Sequence, residues 1–349
     1  MTIAPSFDLQ SEADLPELSF AAMRMAMLNE AQEHELPLLA NSENEVTCGT
    51  PFGNIGIHAL PEGLKIKVSA ARSDWLFMLK ESLVEHLAHF VPDAVDKLRW
   101  SDGEKVGSLP PNFQFAKVQS VEPLGTSFKR VRIKAVNLGS YDDESIHFRI
   151  ILPSVGQDNV VWPQVGANGA TIWPKGDLAL HKPVYTARWI DQSDGLIDID
   201  VFVHEGGRVS EWVNQVAVGD TTAIVGPGGG GIPQTKRINL YGDETAFPAI
   251  ARILETLPKD SVGRVVLAAS NGAACGYPID APAGIKVDWL SGDESLKLPD
   301  IALAEREKTP EHFLWFAAEK AAVQPVQKAL KAAGMTSANS YVATYWSKS

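Results

Sequence analysis

The 349-residue chain contains only two cysteines, Cys48 and Cys275. They lie far apart and form no Cys-x-x-Cys pair, which argues against an iron–sulfur cluster or a structural zinc site carried by this chain. So few cysteines fit a reducing compartment, and we therefore expect a cytoplasmic protein.

Long hydrophobic runs and an excess of positive charge are also missing. No stretch approaches the length of a membrane span, and the N-terminus lacks the basic region and apolar run of a signal peptide. The formal net charge is −12, which argues against nucleic acid or an anionic membrane as a partner. We therefore expect a soluble protein, and a monomer.

The charge is distributed unevenly along the chain. Residues 1–50 hold nine acidic residues and a single basic one, Arg24, whereas residues 311–349 hold four lysines and two glutamates. An anionic substrate should therefore meet the C-terminal half of the protein.

The length predicts two or three domains, and residues 1–105 form the first, an α+β domain. Residues 1–17 are acidic and contain prolines, which indicates a loose lead-in. A helix over 18–35, three short strands, and a helix that Ser73 or Asp74 caps and that runs to about Phe90 follow from the apolar periodicity.

Histidines in this first domain raise the question of a metal. His86 and His89 are three residues apart on the second predicted helix, with His34 or His58 as a possible third ligand. The sequence has no carboxylate or cysteine pattern beside them, so ordinary solvated histidines are favoured and no metal site is predicted.

Residues 101–112 have the composition of a linker. Short alternating runs at 118–121, 128–136 and 146–152 follow without helices and predict an antiparallel β-barrel over 112–235. Residues 162–177 are rich in Trp, Pro and Gly and indicate a long ordered loop. From residue 236 to 349 strands alternate with helices, which predicts an open, mostly parallel α/β sheet with its ligand at the carboxyl ends of the strands.

The α/β domain opens with a strand, a turn and a helix over residues 240–258. Gly242 permits a sharp turn, and Asp243 and Thr245 are good helix N-cap residues. Such a unit directs backbone N–H groups and the helix dipole at a phosphate or a flavin edge. An ordinary strand-to-helix turn is the alternative.

The string from Gly242 through Asp243, Glu244 and Thr245 to Pro258 resembles the signature of the siderophore-interacting protein family, the FAD-dependent ferric-siderophore reductases. The resemblance extends over about residues 115–349 and implies a ferredoxin-reductase-like fold. Residues 1–105 resemble a small domain fused to such reductases.

Two further stretches resemble flavin sites of this family. Residues 181–189 resemble the strand that lies along the flavin ring, although Pro183 stands where an arginine is usual. Residues 204–213 resemble the turn that holds the FAD pyrophosphate. The cofactor-binding residues that the resemblance implies are Tyr185, Thr186, Arg188, His204, Gly206, Gly207, Arg208, Ser210, Trp212, Gly242, Asp243, Glu244 and Thr245.

Three other stretches bear on the same site. The glycine run 226–231 is either a loop close to a ligand or a flexible joint. Residues 315–319 and 341–346 resemble family strand ends, with Ala318 in place of a glycine. Lys348, near the terminal aromatic residues, is the candidate substrate-binding residue.

The resemblance implies an oxidoreductase in which NADPH or NADH reduces FAD and the electrons pass to Fe(III) in a siderophore, which releases iron in the cytoplasm. It identifies no catalytic acid or base. A flavin or ferredoxin-type oxidoreductase with another acceptor and a non-enzymatic siderophore-binding protein are the alternatives.

Overall fold

The computed structural model describes residues 7–16, 18–103, 105–154, 156 and 159–348. The chain forms two compact units: Met1–Phe113 with Pro153–His181, and Gln114–Leu152 with Lys182–Ser349. It therefore passes from one unit to the other three times, whereas a single linker at 101–112 was expected. The domain bounds 1–105, 112–235 and 236–349 stay predictions.

The first unit is built on a five-stranded antiparallel sheet in the order β1-β5-β4-β3-β2. Its strands are β1 (Leu9–Leu15), β2 (Leu38–Asn41), β3 (Glu45–Thr50), β4 (Gly53–Ala59) and β5 (Leu64–Ala70). Three helices, α1 (Phe20–Glu33), α2 (Ser73–Phe90) and α3 (Pro92–Val95), accompany it. Residues such as Leu64, Ile66 and Val68 alternate toward the helices and are buried, which explains the period of two in β5.

Two expectations for this unit were wrong. The segment read as a loose lead-in contains β1, which pairs along its whole length with β5, from Leu9 opposite Ala70 to Leu15 opposite Leu64. The N-cap of α2 is Arg72 rather than Ser73 or Asp74. Asp74 instead forms an ion pair with the Arg72 guanidinium at 2.7 Å.

The loop at 162–177 belongs to the first unit. It contains the short paired strands β9 (Gln164–Val165) and β10 (Thr171–Ile172). The indole N–H of Trp100 donates to the carbonyl of Asn168 at 2.9 Å, so this loop is ordered by hydrogen bonds, as expected.

The second unit begins with a seven-stranded antiparallel sheet in the order β11-β8-β14-β6-β7-β13-β12. Its strands are β6 (Phe113–Leu124), β7 (Phe128–Ala135), β8 (His147–Ile151), β11 (Val184–Thr186), β12 (Trp189–Asp191), β13 (Leu196–Phe202) and β14 (Thr221–Gly228), with helix α4 (Arg208–Gln215) after β13. The two edge strands, β11 and β12, follow each other in the chain with only Ala187 and Arg188 between them, so the two ends of the sheet adjoin.

A second sheet of five parallel strands completes this unit, in the order β17-β16-β15-β18-β19. Its strands are β15 (Arg237–Asp243), β16 (Val262–Ala269), β17 (Gly284–Ser291), β18 (Phe313–Glu319) and β19 (Ser340–Trp346), and its helices are α5 (Phe247–Thr256), α6 (Leu298–Lys308) and α7 (Lys320–Ala332). The strand order reverses between β15 and β18. In an open parallel sheet this switch point is where ligands bind.

No helix in the described part of the chain is both long and apolar enough to span a lipid bilayer.

Candidate functional site

The turn after β15 stands at the switch point, as the sequence predicted, but Gly242 does not form it. Gly242 is buried within β15. A β-carbon there would approach the β-carbon of Ala246 to 2.6 Å and Ile250 Cδ1 to 2.8 Å. Glycine is therefore needed so that the following helix can pack closely on the strand, and not for a sharp turn or for ligand approach.

Asp243, at the end of β15, ties the carboxyl ends of three strands together. Its carboxylate accepts from the Thr245 backbone N–H (3.1 Å) and hydroxyl (2.6 Å). It also accepts from the backbone N–H of Glu319 and the indole N–H of Trp346, both at 2.8 Å. Asp243 therefore caps the helical turn, as predicted, and closes β18 and β19 onto β15.

Glu244 makes the corresponding bond on the other side of β15. Its carboxylate accepts from the Ser270 backbone N–H (2.8 Å) and hydroxyl (3.1 Å) just after β16. The side chains of the turn thus bond the backbone N–H groups of Thr245, Ser270 and Glu319. The Thr245 N–H, expected to face a phosphate, is already bonded to Asp243.

The turn between β13 and α4 is open by comparison. Gly206 has a φ of +74°, and Gly207 is the N-cap of α4 without a side-chain cap hydrogen bond. A β-carbon on Gly207 would meet the His204 ring at 2.7 Å and Ser210 Oγ at 2.9 Å. Exposed Arg208 begins the helix.

Three side chains beside this turn are held in place. The buried Ser210 hydroxyl accepts from the His204 backbone N–H at 3.0 Å. The His204 ring stacks on Phe202 with centroids 5.9 Å apart. Trp212 is partly buried and packs against the core of the seven-stranded sheet.

Strand β11, which carries Tyr185 and Thr186, connects to the terminal strand β19 through a histidine. The Thr186 hydroxyl lies 3.4 Å from His147 Nδ1, and His147 Nε2 lies 3.1 Å from the Tyr345 hydroxyl. Burial lowers the pKa of His147 to about 4, and the nearby Arg252 charge adds to this effect. His147 is therefore a neutral hydrogen-bonding group at physiological pH.

Sequence reasoning missed this connection, because His147 and Tyr345 are 198 positions apart. Tyr345 lies in the 341–346 stretch that resembles a family strand end, but no spacing pattern links that stretch to His147. The neighbouring glycine run lies against the same groups. A β-carbon on Gly229 would meet the His147 ring at 2.8 Å, and one on Gly230 would meet the Tyr341 ring at 2.6 Å. The run is therefore closely packed over this junction, and is not a flexible joint.

Arg188, a predicted pyrophosphate ligand, is 7% exposed and engaged with carboxylates. Its guanidinium bonds both Glu255 carboxylate oxygens from helix α5, and Nε lies 3.8 Å from Asp200. Arg252 of the same helix reaches back to Asp143 at 2.8 Å. These arginines join the two sheets of the second unit, which no sequence motif indicated.

Tyr185 is partly buried in β11, and burial raises the pKa of its phenol. Lys348 is exposed, and its backbone N–H lies 3.4 Å from a Glu319 carboxylate oxygen, so it stands at the carboxyl edge with Asp243. The predicted site residues thus form two groups, one on β11 and the 204–212 turn and one at the edge of the parallel sheet.

The first group fits the FAD expected from the resemblance. The positive φ of Gly206, the uncapped start of α4 at Gly207 and the exposed cation of Arg208 are the donor set that an anionic diphosphate needs. A β-carbon on Gly206 would meet nothing within 4 Å, so the space beside Gly206 is open, whereas any larger residue at position 207 would press on His204 and Ser210.

Two family models match the chain from residue 117 onward. Residues 117–231 match the siderophore-interacting FAD-binding domain, and residues 235–349 match the siderophore-interacting protein model. The NADPH-dependent ferric-chelate reductase of Escherichia coli (strain K12) is 27% identical over 250 residues, which cover 67% of this chain and 92% of that protein. Ferric vibriobactin reductase ViuB of Vibrio cholerae is 29% identical over 169 residues, 47% of this chain and 60% of that protein.

Solved structures resemble the same region. A siderophore utilization protein from T. fusca is 25% identical with a TM-score of 0.59, and the match covers 70% of this chain and 96% of that one. The siderophore-interacting protein SipS from Aeromonas hydrophila shares the fold at 23% identity and a TM-score of 0.54, over 68% of this chain and 92% of that one. The chain therefore belongs to the siderophore-interacting protein family, and its residues 117–231 are an FAD-binding domain of that family.

Proposed function

We propose that this protein is an FAD-dependent reductase of ferric siderophores that takes its electrons from NADPH. The observation that carries the proposal is the open turn at Gly206 and Gly207 within the matched FAD-binding domain. NADPH is favoured over NADH because the relative from Escherichia coli carries NADPH in its name.

The residues on the seven-stranded sheet, which we infer to be the flavin barrel, would hold FAD. Tyr185 offers an aromatic face and Thr186 a hydroxyl held by His147. Gly206, Gly207, Arg208 and Ser210 would surround the pyrophosphate, with His204 and Trp212 beside them. Arg188 contributes by fixing the end of β11 to helix α5.

The carboxyl edge of the parallel sheet would receive the electron donor and the ferric chelate. The switch point between β15 and β18 is the usual ligand position in such a sheet. Asp243, Glu244 and Thr245 shape this edge through their mutual hydrogen bonds. Lys348 at the same edge supplies a positive charge for an anionic chelate.

Bound FAD supplies the conversion between a two-electron hydride donor and one-electron acceptors. One NADPH therefore reduces two ferric ions, with release of NADP⁺, one proton and two ferrous ions. Fe(II) binds hard oxygen ligands less tightly than Fe(III), so reduction releases the metal from its siderophore. The residues position the reactants, and no protein acid or base is required.

The test is the absorbance spectrum of the purified full-length protein, before and after anaerobic addition of NADPH or NADH and then of a ferric siderophore. We expect a flavin spectrum that bleaches with NADPH and recovers with the ferric chelate, while a ferrous-specific chromogenic chelator records Fe(II). Tyr185→Ala should lower the FAD content.

Two results would contradict the proposal. A colourless protein that takes up no added FAD would show that FAD is not its cofactor. A flavin that bleaches with NADPH but is not reoxidised by any ferric siderophore would favour another acceptor.

A further inference from the structure

We propose that the first unit contains a binding site for a divalent transition-metal ion, formed by Glu30, His34 and His86. One ligand atom from each residue lies within 4.8 Å of the others. Two imidazoles and one carboxylate are a ligand set typical of zinc and ferrous sites that keep open coordination positions. These residues lie outside both matched family domains, and the proposal does not depend on the proposed reductase function.

The backbone sets this arrangement. Glu30 and His34 are one turn apart at the end of α1, where the His34 N–H bonds the Glu30 carbonyl at 2.9 Å. His86 comes from the facing helix α2. Glu30 Oε2 lies 3.3 Å from His34 Nε2 and 3.7 Å from His86 Nε2. Metal–ligand distances of about 2.0–2.1 Å in a tetrahedral site require ligands about 3.3 Å apart, so only small side-chain movements are needed.

The orientation of His86 points to a cation. Its Nδ1 lies 2.7 Å from the backbone carbonyl oxygen of Ser82. Since a carbonyl only accepts, Nδ1 carries the hydrogen, and in the neutral ring Nε2 presents a lone pair toward the Glu30 carboxylate. Two acceptors facing each other are stabilised by a cation between them. A backbone carbonyl that fixes the outer nitrogen of a histidine is also the usual support of a metal ligand.

The surroundings favour access of a cation and leave room for further ligands. The three side chains are 31%, 57% and 47% exposed, so an ion can enter from solvent. They also line a largely apolar cavity of about 530 Å³ between the two helices and the sheet. Coordination positions not taken by protein would face this cavity. The net negative charge of residues 1–50 raises the local concentration of cations.

His89 provides a matched control. It lies on the same helix and makes the same kind of bond, from Nδ1 to the Glu85 carbonyl at 2.9 Å, but it is not among the three clustered residues. The sequence suggested His86 and His89 as a pair, with His34 or His58 as a third ligand. The structure instead places His86 beside His34 and the carboxylate of Glu30.

The experiment uses the full chain, treated with a chelator and dialysed, and titrated with Zn²⁺ by calorimetry and with Co²⁺ by visible absorption. We expect one ion per chain, with Co²⁺ bands characteristic of nitrogen and oxygen ligands. His34→Ala and His86→Ala should each weaken Zn²⁺ binding at least about tenfold, and His89→Ala should leave it unchanged.

Circular dichroism and FAD content would verify that the variants fold, and the substituted histidines are exposed, so no core packing is lost. The proposal is overturned if the wild-type protein binds neither ion stoichiometrically, because a proton on His86 then accounts for its approach to Glu30. It is equally overturned if His89→Ala weakens binding as much as His86→Ala.

Discussion

Two strand-to-helix turns of the second unit lie next to glycines in the sequence but differ in structure. Each connects a strand to a helix, and each was expected to face a phosphate or a flavin. At 242–245 two carboxylates bond the surrounding donors, so the turn is closed by its own side chains. At 204–210 the helix begins at Gly207 without a side-chain cap, and the turn stays open.

The difference teaches that a strand–glycine–helix pattern does not by itself make an anion site. The residue that follows the glycine decides, because an aspartate bonds the same N–H groups that a phosphate would need. Arg208, at the open turn, adds positive charge where Asp243 and Glu244 add negative charge at the closed one. The open turn is therefore the better candidate for the FAD pyrophosphate, and the closed turn holds the sheet edge together.

Removing the Asp243 side chain should have the largest effect. In Asp243→Ala the N–H groups of Glu319, Thr245 and Trp346 lose their acceptor, which should lower the free energy of unfolding by about 2–4 kcal/mol. Urea denaturation measures the loss. FAD affinity of the folded variant should stay the same, because the closed turn does not hold the pyrophosphate.

The exposed pair of Asp260 with Lys236 provides the control for this variant. Asp260→Ala should change stability by less than about 1 kcal/mol, as expected for a surface ion pair. If the Asp243→Ala protein keeps its native stability but loses its flavin, the FAD pyrophosphate lies at the 242–245 turn and not at the 204–210 turn.

Acid should destabilise the protein through His147, which links Thr186 on β11 to Tyr345 on β19. Its pKa is lowered to about 4 in the folded protein from an ordinary value of 6.5. The unfolded chain therefore binds a proton that the folded protein does not, and stability falls as the pH drops from about 6.5 to about 4. The contribution at the lower limit is about 3 kcal/mol.

Unfolding by urea at a series of pH values, for the wild type and for His147→Asn, isolates this contribution. The His147→Asn protein should lack the His147 contribution to the fall in stability between about pH 6.5 and pH 4. Carboxylates titrate in both proteins, so their contribution remains. Parallel stability curves for the two proteins would show that His147 titrates normally.

Filling the open turn should weaken FAD binding more than it affects stability. In Gly207→Ala the new β-carbon overlaps His204 and Ser210, and relief of such overlap costs about 1–3 kcal/mol. We expect FAD affinity, measured by flavin fluorescence, to fall about tenfold or more. Gly139→Ala is the control, because that exposed β-carbon would meet only Asn137 Oδ1, at 3.3 Å. Equal FAD affinities for Gly207→Ala and Gly139→Ala would contradict binding of the FAD pyrophosphate at the open turn.

The smallest effect is expected at Lys348. Lys348→Glu should weaken binding of an anionic ferric chelate less than about tenfold, and the effect should shrink at high salt because the side chain is exposed. NADPH oxidation with an uncharged acceptor should not change. Lys308→Glu is the control, because Lys308 lies near the opposite, amino edge of the parallel sheet. It ends α6, and the next residue, Thr309, bonds Asn239 near the start of β15. The same loss in both variants would show general charge repulsion and not a binding residue.

Much of the fold follows from local pattern. The alternation in β5 and β7 and the helical spacing in α5 predicted those elements, because each buries one regular face. The parallel sheet and its switch-point turn followed from the alternation of strands and helices. Strand β1 was missed because two of its seven residues are acidic and the segment becomes a strand only through pairing with β5.

The sequence by itself indicated the family and predicted the 204–213 turn and β11 as flavin-binding elements, because these patterns depend on residues close together in the chain. Tertiary structure alone decided that Asp243 closes its turn and that His147 joins Thr186 to Tyr345. It also decided that Arg188 is paired with Glu255 and that His86 approaches Glu30 and His34. Each of these contacts joins residues that are distant in sequence, and no local spacing encodes which carboxylate or imidazole a folded chain brings within hydrogen-bonding distance.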